Sequence, residues 1–196
     1  MIFLHSKFFK IQFIHLLYQY PYPMIRFQTN RLIIRDILTE DMDFLLEIYR
    51  RKDNMKFISA GRYDWTKEQL AAKYEKYNEN YVSGFGVFTV CLKDTLIVIG
   101  EAGLFDSFGD TNKLELGYIL DAAYWGQGFG KEICHGLIQY CFNTLMISTV
   151  ISRMYAANER SVKLSEKCGM KRVNEGETSE GRMFYEYEII NVKSKK

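Results

Sequence analysis

The sequence contains little of several residue types, and each shortage argues against a class of protein. Among its 196 residues are only three histidines, and none of its four cysteines forms a Cys-x-x-Cys pair, so no metal site is expected. The cysteines lie in apolar patterns, which indicates buried free thiols in a reducing, cytoplasmic setting. A net charge of +2 is too small an excess of basic residues to indicate a nucleic acid partner, and none is expected.

No apolar run is long enough to span a membrane. Residues 1–24 are aromatic and aliphatic, but the uncharged run at 11–25 is shorter than the roughly 20 residues that a spanning helix needs. No small-x-small cleavage site follows it, so we expect neither a signal peptide nor stable membrane insertion. We interpret residues 1–24 as a hydrophobic N-terminal extension, with a natural start at Met24. The alternative is a membrane-surface anchor.

At 196 residues the chain has the composition and length of one domain with a full hydrophobic core, and we assign that domain to residues 25–196. Hydrophobic residues make up 47% of the chain and charged residues 26%, as in a globular protein. Helices are predicted to start at Thr39 and Thr66, each capped by its threonine, with Gln69 completing a capping box at Thr66. A longer helix is predicted over 130–145. Strands are predicted at 31–37, 86–92, 95–105, 112–120, 149–156, 170–173 and 183–192.

A strand, a glycine-rich turn and a helix start follow one another at residues 114–132. The strand is Leu-Glu-Leu-Gly-Tyr-Ile-Leu, and the turn reads Trp-Gly-Gln-Gly-Phe-Gly-Lys-Glu from Trp125. Glycine lets backbone N–H groups approach an anion closely, and a helix start adds unpaired N–H donors. The alternative is a tight turn whose glycines serve only packing. The spacing fits neither a Rossmann nor a Walker motif, which argues against a nucleotide-binding protein.

A second stretch opens a short helix with Asn-Glu-Arg-Ser at Asn158 and ends it with Glu-Lys-Cys-Gly-Met at 166–170. Together with Tyr124-Trp125-Gly126-Gln127-Gly128 and Thr-Asn-Arg-Leu-Ile-Ile-Arg at 29–35, it resembles the GNAT superfamily of acyl-CoA-dependent N-acyltransferases. The sequence is most similar to the ribosomal-protein alanine N-acetyltransferase branch. The resemblance extends from Ile25 to the C-terminus.

The resemblance implies an α/β (α+β mixed) fold with a mostly antiparallel central sheet of six to seven strands and helices on both faces. Two parallel strands, ending near Leu120 and Ala156, would splay apart and hold the pantetheine arm of acetyl-CoA. Two of the implied cofactor-binding residues have alternative roles: Lys131 as a solvated surface lysine, and Asn158 as a helix N-cap. The cofactor-binding residues implied are Ile119, Leu120, Trp125, Gly126, Gln127, Gly128, Phe129, Gly130, Lys131, Asn158 and Ser161.

The implied reaction is direct attack of a neutral amine on the thioester. Neutralising an α-amine with a pKa of about 8 costs little at pH 7, whereas a lysine-type amine with a pKa of about 10.4 costs nearly 5 kcal/mol. A base therefore matters more for the second type. Glu115 is the first candidate and Glu101 the second, each with the alternative role of a polar strand residue. The thioester oxygen would be polarised by an N–H near Ile119 or Leu120.

Ser165 stands where many relatives place the tyrosine that reprotonates the leaving thiolate. Serine is a poor acid, so water would take that role, or none would be needed. This departure leaves two functions open. One is an N-acetyltransferase acting on a primary amine, either a protein N-terminus or a small molecule. The other is a catalytically silent acyl-CoA-binding module. Dimers are common in the resembled branch, so a homodimer is an expected assembly.

Overall fold

The computed structural model describes residues 23–110 and 112–192. The interpretation of residues 1–24 as an extension therefore concerns residues that lie, except for Pro23 and Met24, outside the described chain.

An eight-stranded sheet forms the centre of the domain, with strand order β1-β2-β3-β4-β5-β6-β8-β7. Among the described strands, β5 and β6 pair in parallel and every other neighbouring pair is antiparallel. The strands are β1 (Ile25–Gln28), β2 (Leu32–Asp36), β3 (Gly86–Leu92), β4 (Val98–Phe105), β5 (Lys113–Leu120), β6 (Thr149–Tyr155), β7 (Lys171–Glu177) and β8 (Met183–Ile190). The mixed, mostly antiparallel sheet with a single parallel pair is confirmed.

The sheet has one strand more than the six to seven expected, and the additional strand is β1. This four-residue edge strand carries Arg26, a residue type that does not suggest a strand. The Arg26 guanidinium lies 2.5 Å from the Asp36 carboxylate on β2, so the charge is paired across the two strands. A local alternation pattern does not reveal this pairing, because it depends on a residue ten positions away.

The described residues form five α-helices: α1 (Met42–Arg50), α2 (Lys52–Met55), α3 (Lys67–Asn78), α4 (Phe129–Asn143) and α5 (Glu159–Lys167). The predicted capping box is confirmed, since Thr66 accepts the N–H of Gln69 and the Gln69 side chain accepts the N–H of Thr66. Gly169 ends α5 with φ of 83°, as a glycine cap does.

The predicted cap at Thr39 is wrong. Residues Thr39–Asp41 form a 3-10 turn ahead of α1, and the threonine side chain makes no cap hydrogen bond. Asp41 takes the polar role instead, because its carboxylate accepts the N–H of Leu38 at 2.8 Å. It also pairs with the Arg35 guanidinium at 2.6 Å, which anchors the start of α1 to β2.

Helices on both faces divide the core into two clusters. On one face α4 and α5 pack on the sheet through residues such as Ile133, Leu137 and Val150. On the other face α1 and α3 pack around Tyr49, Leu70 and Ile119. All four cysteines are buried and free, as expected. Within the described ranges, no helix is both long and apolar enough to cross a membrane.

Candidate active site

A V-shaped opening between β5 and β6 is the central feature of the candidate site. The two parallel strands pair from Lys113 with Thr149 to Glu115 with Ile151, and the described pairing ends there. The remainder of each strand, Leu116 to Leu120 and Ser152 to Tyr155, pairs only with its other neighbour. Two strand edges therefore face each other across a gap. We call this opening the β5–β6 cleft.

On β5, the backbone N–H and C=O groups of the even-numbered residues point toward the cleft. Asp121 donates its N–H to Ile99 on β4 at 3.0 Å, whereas Asn112 accepts a hydrogen bond from Thr149 on the β6 side. Backbone groups of alternate strand residues point to opposite neighbours, so the N–H groups of Tyr118 and Leu120 face the cleft. The N–H of Ile119 points toward β4. Of the two residues predicted to donate an N–H to the thioester oxygen, Leu120 therefore has its N–H directed into the cleft. The side chain of Ile119 packs in the core between the sheet and helices α1 and α3.

On β6 the odd-numbered residues face the cleft by the same alternation. Thr149 binds toward β5, and Ala156 donates to Met183 at 2.9 Å on the β8 side. The backbone groups of Arg153 and Tyr155 accordingly border the cleft. Exposed strand edges of this kind can pair with amide groups of an extended ligand, as in the addition of a strand to a sheet.

The glycine turn follows β5 after a short 3-10 turn, Ala122–Tyr124, and leads into α4. Gly126 and Gly128 have φ of 76° and 84°, a conformation that favours glycine. A Cβ added at Gly126 would meet no atom within 4 Å, so packing does not explain this glycine. Gly130 differs, because a Cβ there would lie 2.9 Å from Leu164 on α5. The packing alternative therefore applies to Gly130, while the exposed turn and the first N–H groups of α4 remain open for an anion.

Side-chain hydrogen bonds from Arg31 and Trp125 fix the position of the turn. Arg31 donates from Nη1 to the carbonyl of Gln127 at 3.0 Å, and its Nε lies 2.7 Å from the Glu132 carboxylate. Trp125 donates its indole N–H to the carbonyl of Leu120 at 2.9 Å. The turn is thereby tied both to the β1–β2 connection and to the cleft edge of β5. Lys131 is exposed in the first turn of α4, and Phe129 is buried.

Glu115 lies at the vertex of the cleft, where it forms an ion pair with Arg153. Oε2 of the carboxylate is 2.5 Å from Nη2, and Oε1 is 3.2 Å from Nε. The pair therefore joins β5 to β6 at their last paired residues. Both carboxylate oxygens of Glu115 are therefore engaged by the Arg153 guanidinium.

Glu101 is the centre of a second group, the Glu101 cluster, which comprises Glu101, Tyr49, Tyr74 and Lys73. Tyr49 on α1 donates its hydroxyl to Oε1 at 2.5 Å, and Tyr74 on α3 donates to Oε2. The Lys73 ammonium lies 2.9 Å from Oε1 and also donates to the Tyr49 hydroxyl. Glu101 is 5% exposed, and among the described contacts the positive charge on its carboxylate is that of Lys73.

Burial and the neighbouring Glu101 charge both raise the pKa of Tyr49 well above its usual value. The same two causes raise the pKa of Tyr74. Both phenols therefore stay protonated near neutral pH and serve as hydrogen-bond donors. Tyr49 also packs edge-on against Trp65, whose indole N–H is buried with no hydrogen-bond partner in the part of the chain described.

The two predicted bases lie on the same face of the sheet but are far apart. Glu101 is directly opposite Ile119 in the β4–β5 register, and Glu115 is four residues further back on β5. At about 3.4 Å per residue, the two positions are separated by roughly 14 Å along the strand. Glu101 is therefore the candidate beside the end of β5, next to the cleft-facing Leu120.

The α5 residues have defined local roles. The side chain of Asn158 caps α5 by accepting the N–H of Ser161 at 3.3 Å, so its alternative role as an N-cap is confirmed. Ser165 is 3% exposed, and its hydroxyl lies 3.9 Å from the Met154 sulfur. A hydroxyl in this position contacts a thioether and is shielded from water.

One further contact bridges the mouth of the cleft. Arg182, in the β7–β8 connection, donates to the carbonyl of Ala60 at 3.3 Å, and its guanidinium lies 4.8 Å from the ring centroid of Tyr155 on β6. It thereby links the α2–α3 connection to the end of β6.

Comparison with known families agrees with this arrangement. The family model described as "Acetyltransferase (GNAT) domain" matches residues 31–171, which is most of the chain. The chain belongs to the GNAT acetyltransferase family. As a GNAT acetyltransferase it is an enzyme of the acyltransferase class, and acetyl transfer from acetyl-CoA to an amine is general in that family.

Three relatives illustrate the similarity. The N-acetyltransferase p20 of Bacillus licheniformis, described as uncharacterized, is 25% identical over 163 residues, covering 81% of this chain and 91% of p20. Spermidine N-acetyltransferase of Vibrio cholerae, solved with CoA and spermine, has a TM-score of 0.70 at 17% identity, covering 82% of this chain and 95% of that one. A ribosomal L7/L12 α-N-protein acetyltransferase, solved with coenzyme A, has a TM-score of 0.75 at 13% identity, covering 85% and 98%. At these identities the two structures establish the fold alone.

Sequence reasoning predicted the turn, the strand end and both glutamates as site residues, but it missed the residues that contact them. Contacts to predicted residues are made by Lys73, Tyr49, Arg31 and Arg153, across 28 to 96 positions of sequence. The tyrosines on α1 and α3 had a signal, their helical spacing, but that spacing indicates core packing equally well.

Proposed function

We propose that this GNAT acetyltransferase transfers the acetyl group of acetyl-CoA to a primary amine by direct attack. The observation that carries the proposal is the β5–β6 cleft followed by the exposed glycine turn. The exposed strand edges suit the amide groups of pantetheine, and the start of α4 suits the pyrophosphate. The cleft and the turn follow each other along the chain in the same order as pantetheine and pyrophosphate follow the thioester in CoA. The expected cytoplasmic setting belongs to the same proposal.

The fit of the chain to acetyl-CoA is supported by groups that the fold leaves open. The N–H groups of Tyr118 and Leu120 point into the cleft, and Gly126 has open space around it. Those residues would hold the pantetheine arm and the phosphates, with Lys131 adding charge and Asn158 using the amide group that its cap leaves free. CoA supplies the activated thioester, and the chain supplies orientation and N–H donors.

Glu101 is the better supported of the two proposed bases. It lies opposite Ile119, whereas Glu115 is bound by Arg153 at the vertex. In the proposed reaction, Glu101 accepts one proton from the ammonium form of the acceptor. The neutral nitrogen then forms the new C–N bond and releases its second proton to water. The C–S bond breaks with its electron pair going to sulfur. We assign reprotonation of the thiolate to water, because the Ser165 hydroxyl is buried against Met154.

The acceptor is proposed only at the level of a primary amine. The two structures compared above are named for different acceptors, a polyamine and a protein N-terminus, and neither is more than 17% identical to this chain. Membership of the ribosomal-protein alanine N-acetyltransferase branch, and the homodimer common in it, remain proposals carried by the Tyr124–Gly128 and Asn158 motifs.

The alternative function is a catalytically silent acyl-CoA-binding module. The feature that favours it is Ser165, which replaces the expected tyrosine and is 3% exposed. A silent module would bind acetyl-CoA through the same turn but would not require a carboxylate beside the cleft as a general base.

Release of free CoA thiol separates the two functions. The full chain is incubated with acetyl-CoA and a panel of amines that includes alkylamines, polyamines, amino acids and alanyl peptides. The proposed function predicts thiol release that depends on one amine class and an acetylated product detected by mass spectrometry. Binding of acetyl-CoA without release with any amine would favour the silent module. Glu115→Gln and Glu101→Gln, tested with the active amine, separate the two bases.

A further inference from the structure

Within the Glu101 cluster, three side chains are fixed and one is exchangeable. Tyr49 is 0% exposed and Tyr74 is 4% exposed, and both belong to the core beneath α1 and α3. The Lys73 side chain is 18% exposed and reaches the carboxylate on a flexible four-carbon stem. Only Lys73 can therefore leave the carboxylate for solvent without disrupting the core.

The cluster has the composition of an ammonium-binding site. The Lys73 nitrogen lies 2.9 Å from a Glu101 oxygen, 4.6 Å from the Tyr49 ring centroid and 5.1 Å from the Tyr74 ring centroid. A carboxylate combined with aromatic faces attracts a cation by charge and by the ring quadrupole. The site is thus built for a primary ammonium group, and in this structure the protein's own lysine provides it.

We propose that the Glu101 cluster is the acceptor subsite, and that Lys73 occupies it until the ammonium of the substrate takes its place. This inference rests on the proposed function, which it deepens by naming the substrate class. That class is the unbranched primary alkylammonium, the group that Lys73 itself presents. The α-ammonium of a peptide N-terminus differs, because its α-carbon carries a side chain and a carbonyl.

The charge of the site excludes a neutral occupant. Removing the paired cation from a buried carboxylate is strongly unfavourable unless another cation replaces it. An amine that displaces Lys73 must therefore arrive protonated and give up its proton at the site. Glu101 is the acceptor of that proton, and its position opposite Ile119 keeps the amine beside the strand whose Leu120 N–H faces the cleft.

A binding experiment without acetyl-CoA tests the subsite. The melting temperature of the full chain, its Lys73→Gln variant and a Lys76→Gln variant is measured against n-butylammonium chloride, with sodium chloride and n-butanol as controls. Lys76 is an exposed lysine on the same helix and serves as the matched control. We expect Lys73→Gln to melt lower and to recover with n-butylammonium alone. If Lys73 fills the site about 90% of the time, vacating it strengthens ammonium binding about tenfold.

The specificity of the recovery is checked with the double variant Lys73→Gln, Glu101→Gln, which should not respond to n-butylammonium. A Lys73→Gln variant that responds equally to sodium chloride, or not at all, overturns the inference. Because this readout needs no acetyl transfer, an inactive protein that still binds n-butylammonium contradicts the proposed function alone. Acetyl transfer to alanyl peptides without an ammonium response contradicts the subsite alone.

If Lys73→Gln does not fold, Lys73→Arg provides the second test. Arginine keeps the positive charge but binds a carboxylate with a planar fork and is harder to displace. The subsite predicts a raised KM for n-butylamine, with the KM for acetyl-CoA unchanged. Equal effects on both constants, or none on either, would overturn it.

Discussion

Oε2 of Glu115 lies 2.5 Å from Nη2 of Arg153, at the point where β5 and β6 part. This ion pair connects the two strands at the vertex of the cleft and occupies the carboxylate that the sequence suggested first as a base. Its position explains why two glutamates on one face have different environments, one bound across the cleft and the other enclosed by tyrosines.

The base assignment predicts a difference between two conservative variants. Glu101→Gln should lower kcat by about 100-fold or more, since general base catalysis typically contributes 10²–10⁴. Glu115→Gln should leave kcat within a few-fold, because it removes only the partner of Arg153. Steady-state kinetics across pH measures both. The reverse pattern in folded proteins would return the role of base to Glu115.

Gly126→Ala should weaken acetyl-CoA binding through the turn. Its φ of 76° costs a residue with a Cβ about 1–2 kcal/mol, and relaxation of the turn moves the N–H groups. Gly109→Ala is the matched control, because Gly109 also has a positive φ and open space around it but lies outside the site. Both variants should lose similar stability, and only Gly126→Ala should lose affinity in calorimetric titration. Equal affinity would mean that the turn does not contact the phosphates.

Asn158 should have separable roles in folding and cofactor binding. Asn158→Asp keeps the oxygen that accepts the Ser161 N–H but loses the amide donor, whereas Asn158→Ala loses both. We expect the alanine variant to lose about 1 kcal/mol of stability, as N-cap removal typically does. The aspartate variant should keep its stability and bind acetyl-CoA less tightly. Unchanged affinity in Asn158→Asp would limit this residue to capping.

The stability contributed by Asp41 should depend on pH. Burial raises the pKa of this carboxyl, but the hydrogen bonds from Arg35, the Leu38 N–H and Thr89 outweigh burial and hold it below its usual value. A carboxyl with a depressed folded pKa stabilises the fold above its unfolded pKa of about 3.9, and that stability is lost as the pH falls through the folded value. Asp41→Asn should therefore be destabilising at pH 7, with the difference shrinking below about pH 4.

Chemical denaturation at pH 3 to 7 measures this difference. Asp53→Asn, which changes an exposed aspartate on α2, provides the control and should behave as the unchanged chain does. A constant difference between Asp41→Asn and the original chain over that range would contradict the account.

Local signals in the sequence predicted local structure well. The Thr66 capping box, the Gly169 helix end and the turn at Gly126 each depend on residues within a few positions of one another. The family resemblance supplied the sheet and its splayed pair. Thr39 shows the limit of a local rule, because Asp41 two residues later competes for the same turn and is held by Arg35 on β2.

The parts that escaped prediction depend on distant contacts. Glu101 acquires Tyr49 and Tyr74 only when α1 and α3 pack on β4. Nothing in the neighbourhood of residue 101 indicates that its carboxylate will be buried with a lysine. The choice between Ile119 and Leu120 as N–H donor also required the structure. The pairing of β4 with β5 shows that the N–H of Leu120, and not that of Ile119, points into the cleft.

The central claim, that the cleft and turn bind acetyl-CoA, is tested most directly by the melting temperature of the full chain with and without acetyl-CoA. A ligand that binds only the folded state, present at about 100 times its dissociation constant, adds about 2.7 kcal/mol of stability. The account predicts a clear upward shift with acetyl-CoA and a smaller one for Gly126→Ala. No shift in a folded sample would contradict the cofactor assignment and the acetyl-transfer function proposed from it.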